Sequence, residues 1–196
     1  MTEVAIIGST ASGKTALSID IANKTNSIIL SLDSLSVYKE IDIASAKPTP
    51  SERGDIVHFG IDEIYPNETF DVMQFIELYK KAKNYAKQND KNLIIVGGTS
   101  FYLKALIDGI STGLTKDIKL DIPVEDAYEL LYSVDKEYMK NIAKNDRYRV
   151  EKAYSIYKQT NKPPTQYFEE NPKIPIAKDI KLFDILWDRD DLRKRI

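Results

Sequence analysis

Eight residues, Gly8-Ser9-Thr10-Ala11-Ser12-Gly13-Lys14-Thr15, constrain the fold of this chain more than any other feature. They follow the short apolar run Val4-Ala5-Ile6-Ile7, which reads as a buried strand. They precede Thr15–Thr25, where Ala16, Leu17, Ile19, Ile21 and Ala22 recur at helical spacing. G-x-x-x-x-G-K-T between a strand and a helix is a P-loop. Its glycines let the backbone curl round a phosphate chain. The N–H groups of residues 10–15 are expected to face inward as a nest, reinforced by the helix dipole. Lys14 would neutralise terminal phosphate oxygens, and the Thr15 hydroxyl would ligate Mg²⁺. All eight residues are therefore candidate ligands for at least two linked phosphates.

The chain downstream continues the alternation that a P-loop requires. Ser27–Ser31 reads as a second strand, with Asp33-Ser34 just past its end. Residues 38–68 contain Pro48, Pro50, Gly54, Gly60 and Pro66, and are expected to be mostly loop with a short strand near Ile56–Ile64. Asp71 is placed to cap a helix running to Gln88. Leu93-Ile94-Ile95-Val96 reads as a third buried strand ending in Gly97-Gly98, and a helix over Ser100–Asp108 is stopped by Gly109. Continuously apolar strands alternating with helices predict an α/β, three-layer, P-loop NTPase-like fold with a parallel sheet. Beyond Gly109 the texture changes. Residues 110–124 look irregular, and 125–160 look helical. Residues 161–176, with four prolines, look like an extended linker. Ile180–Trp187 looks like a returning strand and Asp188–Ile196 like the start of a helix. The expected division is a core over 1–109, a small helical insertion over 110–144, and a return to the core over 145–196.

Composition removes several classes of function. There is no cysteine, so disulfides, thiolate catalysis and thiolate metal sites are excluded. A single histidine, His58, excludes a multi-histidine zinc site. No apolar run approaches the roughly 20 residues that span a bilayer. Met1–Val4 leads straight into a strand without a basic region or cleavage site, so a cytoplasmic location is expected. The net charge of −2 conceals an asymmetry. Residues 1–139 carry 14 basic and 21 acidic side chains, or −7; residues 140–196 carry 14 and 9, or +5. A basic C-terminal third suits a polyanion, or simply a lysine-rich solvated surface.

A P-loop commonly binds a nucleoside triphosphate, with a Walker-B carboxylate ending an adjacent apolar strand. Here Leu93–Val96 ends in Gly97-Gly98-Thr99, and Asp33 is the only acid that the sequence places at a strand end. There it could hold Mg²⁺ through water, act as a general base, or merely cap the following turn.

Six segments occur together in one order: Gly8–Thr15, then Asp33-Ser34-Leu35-Ser36-Val37-Tyr38-Lys39, Ala46-Lys47-Pro48, His58, Gly97-Gly98-Thr99-Ser100-Phe101-Tyr102-Leu103, and Asn145-Asp146-Arg147-Tyr148-Arg149-Val150. In this order they resemble the tRNA dimethylallyltransferases, over nearly the whole chain. The resemblance implies transfer of a prenyl group from dimethylallyl diphosphate to N6 of the adenosine 3′ of the tRNA anticodon. It accounts for the missing Walker-B acid, since the phosphate ligand would be a departing diphosphate. It implies Lys14 and Mg²⁺ on Thr15 at the leaving group, Asp33 as base, and Thr99 at the centre of the site. It assigns Asp33, Ser34, Leu35, Ser36, Thr99, Arg147, Arg149 and Lys152 to tRNA binding. No obligate protein partner or membrane contact is implied.

Some positions depart from the family pattern. Ser36 stands where glutamine is usual and loses the bidentate contact with adenine. Lys119 is the nearest basic candidate for an arginine that has no clear match. Lys152 replaces an arginine, keeping charge without the fork. The insertion is short. The resemblance also implies a longer protein, in which Arg189–Ile196 would open a long helix.

Residues 140–162 supply a counterpart from composition, with seven basic residues, two acids, and Tyr148, Tyr154 and Tyr157 among them. Such interleaving suits phosphate contacts and base stacking, while Val150, Tyr154 and Tyr157 also fit the buried stripe of an ordinary helix. Two other readings stand beside the prenyl transfer. One is an ATP-dependent P-loop kinase in which Arg147 and Arg149 form a lid. The other is a non-catalytic RNA-binding module.

Overall fold

The computed structural model describes residues 1–98, 100–111 and 118–195. The chain divides into two compact units, Met1–Ile107 with Ile176–Ile196, and Asp108–Pro175. The first contains β1 (Glu3–Gly8), α1 (Lys14–Thr25), β2 (Ser27–Ser31), α2 (Asp42–Ser45), α3 (Pro50–Arg53), β3 (His58–Phe59), α4 (Val72–Gln88), β4 (Asn92–Gly97) and most of α5 (Ser100–Asp108). The second contains α6 (Val124–Val134), α7 (Lys136–Met139), α8 (Arg147–Thr160) and α9 (Pro164–Glu170). The chain then returns to the first unit as β5 (Lys181–Ile185) and α10 (Arg189–Arg193).

The five strands form one parallel sheet in the order β3-β2-β4-β1-β5. Successive side chains on a strand face opposite sides, and this sorts the helices. Ile6, Ile29, Ile94 and Val96 pack with Ala22 of α1 and the flanking Ile19 and Val4. The alternate residue Glu3 accepts hydrogen bonds from the Tyr79 hydroxyl of α4 and from Lys83. Thus α1 covers one face of the sheet and α4 the other. Ala5, Ile28, Leu30, Leu93 and Ile95 have no exposure at all, and each large one contributes roughly 1.5–3 kcal/mol by burial. Phe75 of α4 stacks on Tyr102 of α5 at 4.6 Å. The three-layer expectation holds, and so does the Asp71 cap: its side chain accepts from Gln74 N–H while Gln74 reaches back to Asp71 N–H. Gly97 ends β4 with φ +157°, and a β-carbon there would lie 2.7 Å from Leu32 Cβ. Close packing thus holds this strand end at glycine.

Four readings of the chain need correction. The proline-rich stretch 161–176 contains α9, because Pro164 occupies the first helical position, where its missing N–H costs nothing. The helical stretch expected over 125–160 is divided into three helices, with residues 140–146 outside them. Asp135 ends α6 and caps α7, and its buried carboxylate also accepts from Thr165 N–H and Oγ1. The boundary expected at 144 falls instead at Pro175. Val150, Ala153 and Tyr154 of α8 share a core with Ala127, Leu131 and Met139, so the amphipathic face of α8 belongs to the helical unit. Within residues 38–68 the expected strand is only His58–Phe59, and α2 and α3 were not anticipated.

Candidate active site

The turns after β1, β2 and β4 meet at the carboxyl edge of the sheet, where open α/β sheets bind ligands. They line a cavity of about 350 Å³ that includes Thr10, Ala11, Lys14, Thr15, Asp33, Leu35, Ser36, Lys47, His58, Gly97 and Gly98. An open groove of about 1000 Å³ shares Lys14, Thr15 and Lys47 with this cavity and runs past Ser12, Gly13 and α1 to Arg195. Ser34 is exposed on the turn after Asp33, while Ser36 is buried. Thr99 lies outside the described residues.

The P-loop is wound tightly. Ala11 and Gly13 have φ of 62° and 88°. Ser12 N–H, counted among the inward donors, bonds instead to Ser9 O at 3.3 Å. Lys14 Nζ donates to Ser9 O and to Ser12 Oγ, folding across the mouth of the loop. Burial pushes its ammonium below the ordinary pKa, against the pull of Asp33 and Asp184.

Asp184 was not found in the sequence, where Asp33 stood as the only acid at a strand end. Parallel pairing sets Asp184 opposite Ile7, one residue short of the P-loop. Neighbour order in a parallel sheet comes from the crossovers, so nothing local to residues 180–187 announces it.

Asp33 is half-buried, and its Oδ1 accepts from Leu35 N–H at 2.8 Å. The residues that follow form a turn, not a helix. The cap and the base are therefore compatible, since one oxygen fixes the turn and the other has no partner among the described residues.

Lys47 holds the wall of the cavity. Its side chain is only 5% exposed, and Nζ contacts Asp42 at 2.7 Å, Asp62 at 2.5 Å and Tyr38 O at 2.9 Å. Burial works against its charge, but the two carboxylates outweigh it and raise the pKa. Its fully partnered ammonium ties the 38–64 loop together.

His58 Nδ1 lies 2.8 Å from Ile56 O. A carbonyl only accepts, so Nδ1 carries the proton and Nε2 is the acceptor. Burial, aided by Arg53, depresses the pKa below 6.5 despite that hydrogen bond. The unfolded chain therefore takes up this proton first as pH falls, and stability should drop as pH goes below about 6.5. Thermal melts between pH 7 and 5 are expected to show the loss, and His58→Gln to flatten it.

The remaining tRNA candidates lie in the helical unit. Arg147, Arg149 and Lys152 share the first turns of α8. Arg147 lies 3.9 Å from Glu151. Arg149 is engaged by the capping Asp146 at 2.6 Å, and the Lys152 ammonium sits over the Tyr148 ring at 5.5 Å. Lys119 is brought beside the same helix, since Ile118 N–H bonds to Ser155 Oγ and Tyr154 bonds to Asp121. Of the tyrosines in and around this segment, Tyr154 is buried as the stripe predicts, while Tyr148 is 72% exposed. Tyr148 is thus the tyrosine of this segment left open to a stacking partner.

A family model described as IPP transferase matches residues 36–196. The chain belongs to this family. It is 74% identical over 196 residues to the tRNA dimethylallyltransferase of Aliarcobacter butzleri, covering 100% of this chain and 67% of that protein. It is 50% identical over 203 residues to that of Sulfurimonas denitrificans, covering 100% and 68%. Among solved structures, a eukaryotic dimethylallyltransferase acting on tRNA superposes with a TM-score of 0.82 at 27% identity, over 100% of this chain and 54% of that one. The Bacillus halodurans tRNA isopentenylpyrophosphate transferase superposes with a TM-score of 0.65 at 27% identity, over 99% and 63%. The chain thus spans about two thirds of the length of the curated relatives it matches. The family places the P-loop in the prenyl-transferring class, and neither the kinase nor the non-catalytic reading gains an observation from it.

Proposed function

We propose that this chain carries the donor site and part of the RNA grip of a tRNA dimethylallyltransferase. The observation that carries the reading is one cavity shared by the P-loop, an Asp33 carboxylate oxygen with no hydrogen-bond partner among the described residues, and a β4 end that offers no acid. A site of this kind suits a leaving diphosphate and an acceptor that must lose a proton. The N6 lone pair of adenine would attack C1 of the dimethylallyl group, and the C1–O bond would break with its electrons going to diphosphate. Asp33 would take the amine proton, and Lys14 would neutralise the departing charge.

The donor set also fits Mg²⁺. Thr15 offers a hydroxyl, with Asp33 in the same cavity able to hold the ion only through water if it is to remain a base, and no cluster of three acidic or histidine ligands occurs among the described residues. A sparse set of hard oxygens suits an ion that keeps waters and binds substrate phosphate. Bound there, Mg²⁺ would supply charge neutralisation to the diphosphate.

The exposed start of α8, with Arg147, Tyr148, Arg149 and Lys152, supports an RNA contact through phosphates and a stacked base. No helix among the described residues is long and apolar enough to cross a membrane, and the proposed substrate places the work in the cytoplasm. The deciding assay mixes the full-length protein with labelled dimethylallyl diphosphate, Mg²⁺ and bulk tRNA, and is expected to put label in RNA. ATP hydrolysis without prenyl transfer would reject the reading. Arg149→Ala or Lys152→Ala should weaken tRNA binding and reduce the salt slope of log K by about 0.7–0.9 per lost phosphate contact. Titrations across a salt series measure this directly.

A further inference from the structure

The P-loop is fastened from outside by residues far away in the chain. Trp187 Nε1 donates to Ser12 O at 3.0 Å, and Arg195 Nε donates to Ala11 O at 3.1 Å. The Arg195 guanidinium lies 4.5 Å from the centre of the Trp187 ring, so the two side chains brace each other. We propose that Trp187 and Arg195 are positioning residues for the diphosphate, acting by fixing the two peptide planes at the tip of the P-loop. The proposal rests on the donor-site reading above.

A trans peptide is planar, and its N–H points away from its C=O. A donor that holds Ser12 O therefore turns the Gly13 N–H of the same plane the opposite way, away from Trp187. A donor that holds Ala11 O fixes the preceding plane, whose N–H is already committed to Ser9 O. Ala11 itself sits at φ 62°, a conformation that alanine adopts only under outside constraint. Arg195 binds the carbonyl of that same residue. The loop is thus held in a strained shape by two donors that engage its carbonyls.

Arg195 has a second consequence. One of its terminal nitrogens lies 3.9 Å from where a Gly13 β-carbon would be. Among the described residues no carboxylate lies within 4.0 Å of Arg195, and the guanidinium brings positive charge beside the loop. Lys14, by contrast, feels Asp33 and Asp184. The strap therefore favours an anion in the loop by shape and by field.

The test is calorimetric binding of inorganic pyrophosphate with Mg²⁺ to the full-length protein and to Trp187→Phe and Arg195→Lys. Phenylalanine keeps the ring but removes the N–H. Lysine keeps the charge but removes the Nε bond and the flat stacking surface. Each variant is expected to bind pyrophosphate about 3–10-fold more weakly, as befits one lost hydrogen bond. The KM for dimethylallyl diphosphate should rise with it, and tRNA affinity should be unchanged. Melting curves separate this from unfolding, and if Trp187→Phe is destabilised, the exposed Arg195→Lys carries the test. Pyrophosphate affinity within twofold of the unsubstituted protein in Arg195→Lys and in folded Trp187→Phe overturns the strap alone. So does a loss of pyrophosphate and tRNA binding in equal measure. An unsubstituted protein that binds no pyrophosphate overturns the donor-site reading, and the strap with it.

Discussion

Replacing Lys14 by alanine is expected to lower prenyl transfer by about 10²–10³-fold, the usual cost of removing one preorganised electrostatic group from a developing anion. The ammonium folds over the loop onto Ser9 O and Ser12 Oγ. Both are neutral acceptors that it would relinquish readily to a doubly charged phosphate. Its depressed pKa has burial as its largest cause, so the site is partly withdrawn from solvent, where an electrostatic contact is worth more than in bulk water. The loss should appear in kcat as well as in donor affinity, because charge accumulates on the diphosphate only as the C1–O bond breaks. Lys14→Arg should recover little, since the guanidinium fork does not fit the space that a single ammonium occupies. Single-turnover rates at saturating tRNA provide the measurement. Retention of more than a tenth of the rate in Lys14→Ala would remove Lys14 from the chemistry.

How far the site was legible in the chain depends on whether its parts are local. The P-loop, the Asp71 capping box and the glycines closing β4 each carry their signal within a few residues, and all three lie where the patterns put them. Pro163-Pro164 carries an ambiguous one, since the same pair suits an extended linker or a helix start, and its packing decides between them. Asp184, Trp187 and Arg195 carry none. Each acquires its role from the pairing of β5 with β1, and that neighbour order is a property of the whole topology. Arg149 shows the converse limit. Its spacing marks a basic face, but only the fold reveals that the capping Asp146 already engages it, so an RNA phosphate must compete with that carboxylate.

Asp33 is the sharpest test of the chemistry. Asp33→Ala should lower kcat by roughly 10²–10⁴ while leaving tRNA affinity nearly intact, as expected for a general base. Alanine, however, also deletes the acceptor for Leu35 N–H and so loosens the turn that carries Leu35 and Ser36. Asp33→Asn separates the two roles. An asparagine amide oxygen still accepts from Leu35 N–H and keeps the turn, but an NH₂ group replaces the second oxygen and accepts no proton. If Asp33 is the base, Asp33→Asn should be slowed nearly as much as Asp33→Ala and should melt at the temperature of the unsubstituted protein. If Asp33 only shapes the turn, Asp33→Asn should react at a near-normal single-turnover rate and only Asp33→Ala should fail. That outcome would leave the amine proton with no base among the described residues of the cavity other than His58 Nε2, and the proposed mechanism would be wrong at its central step.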